Sequence, residues 1–264
     1  MTKNDLKMLE QKFLAYTGPF ITGAKDPEPH TVKKDHTFRV ADNIEKLARS
    51  LELGEKEIII ARAAALLHDL GRFLQFETWG TFIDRRSVNH AALGVRVIKR
   101  EGFLDGISRP EQRLILRSIA LHNRPRLPRC LTYRLDRLAR LLRDADKLDI
   151  YRVMLDLYQR PVNGETSFIT HDRVDDGNIS ADIAEDILAG REVRLSRVTT
   201  LNDMKLFQVG MLTDLNYPAA FRTVQEMGVV RIILGSIRND AGPESTLLRS
   251  LETCLDERVA RLAG

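Results

Sequence analysis

The sequence lacks the features that mark membrane proteins, disulfide scaffolds and single-strand nucleic-acid binders. No apolar run approaches the roughly 20 residues that a membrane-spanning helix needs. The two cysteines, Cys130 and Cys254, are too few for a disulfide scaffold and have no metal-binding spacing. One tryptophan and an aromatic content of 6% offer no evident platform for stacked bases. Residues 1–5 lack the apolar core of a signal peptide, so we expect a cytoplasmic protein.

The composition is that of an ordinary globular protein with a small excess of positive charge. Its 264 residues are 43% hydrophobic and 30% charged, with a formal net charge of +4 at pH 7. This length suits one large domain or a domain with a substantial extension. The charge favours anionic ligands such as phosphates but is weak evidence for nucleic acid. We therefore expect neither a membrane nor nucleic acid as a partner; a homo-oligomer remains open.

Hydrophobic residues recur at helical spacing along the chain, and no alternating strand pattern of useful length occurs. We therefore predict an all-α fold. Residues 1–160 are predicted to form a helical core, and residues 161–264 a helical extension packed on that core. Within the extension, Gly228 is predicted to break a helix.

Two predicted helices matter most for function. One begins near Asp35, a residue type favoured as an N-cap, and so has His36 in its first turn. The other runs over residues 55–70, with Gly71 where a left-handed C-terminal cap would lie. Residues 72–86 show no clean period and are predicted to form a structured loop.

The second of these helices is apolar and Ala-rich, yet its last turn carries His68 and Asp69 side by side. A helix this apolar is expected to be buried. Buried charge is costly unless it is paired or coordinates a metal. The two side chains therefore either satisfy one another and nearby backbone, or hold an ion.

Four of the six histidines fall at predicted helix ends, where side chains from separate helices can converge. They are His36, His68, His90 and His122. Two carboxylates join them, Asp69 beside His68 and Asp146 on the apolar side of a later helix. Imidazole and carboxylate ligands together suit Fe, Mn, Zn or Ni better than Ca or Mg. His30 lies in a predicted loop and is expected at the surface or at a pocket rim.

The order of these six residues carries a family resemblance. The pattern His36 … His68-Asp69 … His90 … His122 … Asp146 resembles the HD-domain metal-dependent phosphohydrolase superfamily, in the binuclear subset with two additional histidines. Local runs agree, among them His68-Asp69-Leu70-Gly71-Arg72 and Asp144-Ala145-Asp146-Lys147-Leu148-Asp149. The resemblance covers about residues 30–155 and implies an HD-domain-like helical bundle.

The resemblance also implies two divalent transition-metal ions, with Fe or Mn first and Zn or Ni as alternatives. The first ion would be held by His36, His68, Asp69 and Asp146. The second would be held by His90 and His122, with Asp69 bridging both. Two ions at bridging distance can share a hydroxide, which is the expected nucleophile.

A phosphorylated substrate also needs positive charge from the protein. Arg72 follows the His-Asp pair, and its guanidinium could bind two phosphate oxygens at once. Lys147 adjoins Asp146 and is a second candidate; Arg124, just past His122, is a third. We expect Asp69, Arg72 and Lys147 to take part in catalysis, and Arg72, Lys147 and Arg124 to bind substrate.

The pattern therefore predicts a hydrolase that cleaves a phosphomonoester or phosphodiester of a nucleotide or small phosphorylated metabolite. A mixed-valent di-iron oxygenase of the HD type is an alternative, since its ligand pattern is similar. A non-catalytic nucleotide-binding sensor is a second alternative. A single-metal site, with His90 and His122 as substrate contacts, also remains open.

Overall fold

A computed structural model describes residues 1–159, 177–237 and 246–264 of the chain. These ranges form α-helices joined by loops and short 3₁₀ turns, and no β-strand occurs within them. The predicted all-α fold is confirmed. No helix in the described part of the chain is long and apolar enough to cross a membrane. The cytoplasmic location stays a prediction.

The chain divides into two compact units, Met1–Asp149 and Ile150–Gly264. The helices that begin in the first unit are α1 (Lys3–Thr22), α2 (Glu28–Ser50), α3 (Glu55–Leu67), α4 (Leu70–Trp79), α5 (His90–Arg100), α6 (Arg109–His122) and α7 (Tyr133–Gln159). Described helices that begin in the second unit are α8 (Ala181–Leu188), α9 (Leu201–Gly210), α10 (Pro218–Met227), α11 (Val229–Gly235) and α12 (Thr246–Ala263). The predicted boundary at residue 160 and the packing of the extension on the core stay predictions.

Helix α3 forms the centre of the first unit. Apart from Arg62, each of its residues 58–67 is buried, and the helix packs against α1, α2 and α6. Gly54 precedes it as N-cap, and Glu55 and Glu57 lie in its first turn, where carboxylates interact favourably with the helix dipole. A polar side chain at the C-terminal end of α3 therefore lies in apolar surroundings.

Helices α3 and α4 meet at a sharp break. α3 ends at Leu67, and Asp69 (φ −103°, ψ 13°) precedes α4. The prediction that Gly71 ends the helix in a left-handed conformation is wrong, because Gly71 lies in the first turn of α4 without a positive φ. The absence of a side chain at Gly71 instead allows the backbone of α4 to pack closely against the backbone of α5. A Cβ there would lie 2.5 Å from the Gly94 nitrogen of α5 and closer still to the His90 carbonyl oxygen.

Helix α2 begins earlier than predicted, at Glu28 rather than near Asp35. Pro27 is the N-cap of α2 and Pro29 lies in its first turn, where the missing N–H costs no helical hydrogen bond. His36 therefore lies in the interior of the helix and not in its first turn.

The predicted loop over residues 72–86 is largely helical. α4 runs to Trp79, and Gly80 caps it in the left-handed conformation with φ 64°. A 3₁₀ turn, Asp84–Arg86, follows before α5. α4 has 10 residues, shorter than the window of about 11–18 residues in which helical periodicity is recognised.

The second unit has its own buried core and its own helix caps. Thr200 and Asp203 form a reciprocal capping box at the start of α9. The predicted helix break at Gly228 is confirmed, since its φ of 66° separates α10 from α11. Fully buried apolar side chains come from α8, α9, α11 and α12, namely Ile183, Leu206, Ile233 and Leu255.

We predict that Gly71→Ala lowers the free energy of unfolding by about 1–3 kcal/mol or more, because the added methyl group meets backbone atoms of α5. Urea denaturation of the full chain measures this. Gly54→Ser is the matched control: the space around a Gly54 Cβ is open, and serine is a favoured N-cap, so stability should hold or rise. Unchanged stability of Gly71→Ala would contradict the packing role.

Candidate metal centre

Six side chains from five parts of the first unit converge at one point. His90 is the first residue of α5, His122 is the last of α6, and the other four lie on α2, at the α3–α4 junction and on α7. The six are His36, His68, Asp69, His90, His122 and Asp146. Five of them are buried, and the side chain of Asp146 is 19% exposed. The structure thus brings all six predicted ligands together.

Two of the imidazoles donate Nδ1–H to a backbone carbonyl in the preceding turn. His68 Nδ1 lies 2.7 Å from the Ala65 oxygen, and His122 Nδ1 lies 2.7 Å from the Ile119 oxygen. A carbonyl oxygen can only accept a hydrogen bond. These partners therefore assign a proton to Nδ1 in both rings, so that Nε2 of the neutral ring carries a lone pair.

The other two imidazoles are held by carboxylates. His36 Nδ1 lies 2.7 Å from Asp149 Oδ2, and His90 Nδ1 lies 2.8 Å from Asp84 Oδ2. An ionised carboxylate also only accepts, so Nδ1 again donates. Metal-binding histidines commonly have such a partner, because it fixes the tautomer and the ring orientation.

The four Nε2 atoms face one another and lack donors. His90 Nε2 and His122 Nε2 are 3.0 Å apart, and neither has a proton to donate when Nδ1 carries it. His36 Nε2 and His68 Nε2 are buried without a hydrogen-bond partner. Converging buried lone pairs are unfavourable unless a cation lies among them. The residues therefore fit a metal ion.

The carboxylate of Asp69 lies between the two pairs of rings. Its Oδ2 is 3.6 Å from His36 Nε2 and 3.7 Å from His68 Nε2. Its Oδ1 is 3.4 Å from His90 Nε2 and 3.9 Å from His122 Nε2. One oxygen thus faces each pair, as a bridging carboxylate requires.

Two sets of three donor atoms are close enough to share an ion, with all atoms of a set within 4.8 Å of one another. The first set is His36, His68 and Asp146, and the second is His68, Asp69 and His122. Asp146 Oδ1 lies 3.2 Å from His36 Nε2 and 3.7 Å from His68 Nε2. Nitrogen and oxygen donors of this kind suit Fe, Mn, Zn or Ni.

Both central carboxylates are ionised at neutral pH. Burial raises the pKa of Asp69, but the nearby Lys33, His68 and Arg72 charges outweigh it, and the pKa falls well below its ordinary value. Burial also raises the pKa of Asp146, and the close His36 and His68 imidazoles bring it well below the ordinary value. The centre therefore presents two negative charges.

Burial and these charges shift the pKa values of three of the imidazoles, two downwards and one upwards. Burial and the neighbouring rings lower the pKa of His122 to about 3, and burial likewise lowers the pKa of His90. These two rings are neutral at pH 7 and can donate a lone pair. Burial lowers the pKa of His68 too, but Asp69 and Asp146 more than offset it, so its pKa is raised. The field at His68 thus attracts positive charge.

Sequence reasoning missed the two carboxylates that orient the rings. Arg39 binds Asp149 through two hydrogen bonds of 2.5 and 3.0 Å, which fixes the partner of His36. Asp149 lies one helical turn after Asp146, on the same face of α7, and this spacing was the available signal. Asp84 comes from a 3₁₀ turn, which has no sequence period, and gave no signal.

Arg72, the first predicted substrate-binding residue, is held by protein groups. Its Nη1 donates to Gln75 Oε1 at 3.0 Å, to Asp84 Oδ1 at 3.1 Å and to the Phe82 carbonyl, and its Nε lies 3.4 Å from Asp69 Oδ1. These contacts anchor the partner of His90. A role in binding substrate stays a prediction.

The other two predicted cations lie at different depths. Lys147 is partly exposed on α7 beside Asp146, and Arg124 is exposed in the loop after α6. The Arg124 carbonyl accepts a hydrogen bond from the buried Arg143. Their predicted roles in catalysis and substrate binding are not tested by these positions.

Lys33, which was not among the predicted site residues, contacts the centre directly. Lys33 Nζ is 2.9 Å from Asp69 Oδ2 and 5.5 Å from the centre of the Phe82 ring. Lys33 precedes His36 by almost one turn of α2. Because the helix was predicted to start near Asp35, Lys33 was assigned to a loop, and its helical spacing from His36 was not recognised.

His30 does not belong to the centre. It was predicted at a loop surface or a pocket rim, but it lies in α2 and is only 1% exposed. Its ring stacks on Phe73 at 5.8 Å and meets Phe76 edge-on at 5.4 Å. It is part of an aromatic cluster.

Comparison with known proteins gives one result. The family model of the HD domain matches residues 34–151, a range that contains all six converging residues. No curated protein and no solved structure matches the chain. Residues 34–151 therefore match the HD domain, in agreement with the resemblance of about residues 30–155 to the HD-domain metal-dependent phosphohydrolase superfamily.

Proposed function

We propose that this protein is a metal-dependent phosphohydrolase that cleaves a phosphomonoester or phosphodiester of a nucleotide or a small phosphorylated metabolite. The observation that carries the proposal is Asp69, whose two carboxylate oxygens face two separate pairs of Nε2 lone pairs. Two metal ions need this arrangement of donor atoms, and a site with two metal ions suits phosphoryl transfer.

The distances from the two Asp69 oxygens support an assignment of residues to each ion. His36, His68 and Asp146 would hold one ion, His90 and His122 the other, and Asp69 both. Bound there, Fe, Mn or another divalent transition metal would supply Lewis acidity and a hydroxide nucleophile at neutral pH.

The charges of the chain itself favour an anionic substrate. Asp69 and Asp146 are the two carboxylates among the six residues, and Lys33 and Arg72 already lie against Asp69. Added divalent cations would therefore leave the centre with net positive charge. A cleft of positive potential raises the local concentration of anions such as phosphate esters.

Metal content per chain together with a phosphatase screen of nucleotides tests the proposal. Two transition-metal ions per chain and release of phosphate or of a nucleoside monophosphate would support it. An iron-loaded protein that releases no phosphate, and whose mixed-valent electron spin resonance signal changes with a polyol or a phosphonate, would overturn it in favour of an oxygenase.

We predict that Asp69→Ala lowers hydrolysis of an aryl phosphate by about 100-fold or more, since even partners of metal ligands are worth about 10–100-fold. Bound metal per chain, measured by elemental analysis, should fall as well. Asp35→Ala is the control, because Asp35 is an exposed carboxylate on α2. Full turnover and metal content in Asp69→Ala would refute the assignment of the centre.

We predict that Asp149→Asn weakens metal affinity by about 10–100-fold, because the amide orients the His36 ring less strongly than the carboxylate does. Titration with Mn²⁺ measures the affinity. Asp136→Asn makes the same change on the same helix, where Asp136 pairs with Arg140 away from the six residues, and should leave the affinity unchanged. Equal affinities for the two variants would count against the orienting role.

A further inference from the structure

Lys33 is a cation placed at the rim of the centre, just before the residues that the HD family model matches. Its side chain is 21% exposed, whereas that of Asp69 is 5% exposed. The ammonium group therefore reaches inward to a buried carboxylate while its own side chain is open to solvent. A substrate that approaches from solvent on this side would meet Lys33 before it met Asp69.

The contacts of Lys33 differ in kind from those of Arg72. Arg72 binds the Phe82 carbonyl, Gln75 and Asp84, so its loss would disturb the segment that positions His90. Lys33 pairs with Asp69 Oδ2, the same oxygen that faces His36 Nε2 and His68 Nε2. An ammonium group and a divalent cation cannot both stay close to that oxygen without strong repulsion.

We propose that Lys33 binds the phosphoryl oxygens of the substrate, and that it exchanges Asp69 for this anion when the centre takes up metal. This inference rests on the proposed function, since it assigns a residue for the same substrate. A cation held by Asp69, His36 and His68 would displace the ammonium group towards solvent, where part of the Lys33 side chain is already exposed. There the lysine, with its flexible stem, meets an incoming phosphate as a point charge.

Binding of inorganic phosphate to the Mn²⁺-loaded full chain tests the assignment without any turnover. Isothermal titration calorimetry gives the phosphate Kd of each variant. We expect Lys33→Met to weaken phosphate binding by about 10–100-fold, the value of a hydrogen bond to a charged group. Lys33→Arg keeps the charge, so its phosphate Kd should lie within a few fold of that of the parent chain. A purely structural role for Lys33 would not predict this rescue by charge.

Lys34→Met is the matched control. It removes the same charge from the neighbouring position of α2, where Lys34 pairs with Asp35 at 3.6 Å, and should leave phosphate binding unchanged. Lys33→Gln repeats the test with a polar end, and circular dichroism reports whether each variant is folded. A phosphate Kd equal to that of the parent chain in folded Lys33→Met or Lys33→Gln would overturn the proposal.

A Mn²⁺ titration in the absence of phosphate shows whether weaker phosphate binding comes from the loss of the lysine itself or from a loss of bound metal. Lys33→Met should bind Mn²⁺ as tightly as the parent chain or more tightly, because a competing cation has been removed from Asp69. Loss of Mn²⁺ in this variant would also overturn the proposal, since weaker phosphate binding would then follow from the missing metal.

These experiments distinguish a failure of the Lys33 assignment from a failure of the phosphohydrolase proposal. Phosphate binding that requires Lys33, in a chain that hydrolyses no ester, supports the role of Lys33 in phosphate binding and refutes the phosphohydrolase proposal. Hydrolysis with an unchanged KM in Lys33→Met supports the phosphohydrolase proposal and refutes the role of Lys33. A raised KM with a smaller change in kcat supports both proposals.

Discussion

The candidate centre depends on where each imidazole places its Nδ1 proton. Two rings donate it to carbonyls of their own helix end, and two donate it to Asp84 and Asp149. Each donation turns the opposite nitrogen into an acceptor without a donor. Four such nitrogens at one point would destabilise the folded protein if no cation were bound among them. The hydrogen bonds outside the centre thus determine the chemistry within it.

The two halves of the centre are not equivalent. The half of His36 and His68 includes Asp146, which is partly exposed, and borders on Lys33. The half of His90 and His122 has no second carboxylate among the six residues, and His122 there has a pKa of about 3. Asp69 therefore has to bring negative charge to both halves, and each half would hold its ion with a different charge and exposure.

The convergence of these six side chains could be predicted from the sequence because its signals are local. An Ala-rich helix that ends in His68-Asp69 and histidines at two further helix ends are visible without a structure. The positions of Asp84 and Lys33 could not be predicted in the same way. Asp84 reaches His90 from a 3₁₀ turn, and Lys33 reaches Asp69 only because α2 begins at Glu28.

Two of the wrong predictions share a physical cause. A helix start was predicted near Asp35 and a helix end at Gly71, whereas Pro29 lies in the first turn of α2 and Gly71 in the first turn of α4. A proline in the first turn loses no helical hydrogen bond, and a glycine can serve close packing as well as a left-handed turn. Only the position of neighbouring helices distinguishes these uses, and that position is tertiary information.

The contact of Gly71 with α5 also limits the paths by which the centre can exchange ligands. Backbone meets backbone there, and a main-chain contact has no rotamers through which a gap could open. Asp69 and His90 flank this contact, so that wall of the centre is rigid. Lys33 and Asp146, by contrast, border the centre with partly exposed side chains, which changes of rotamer can move.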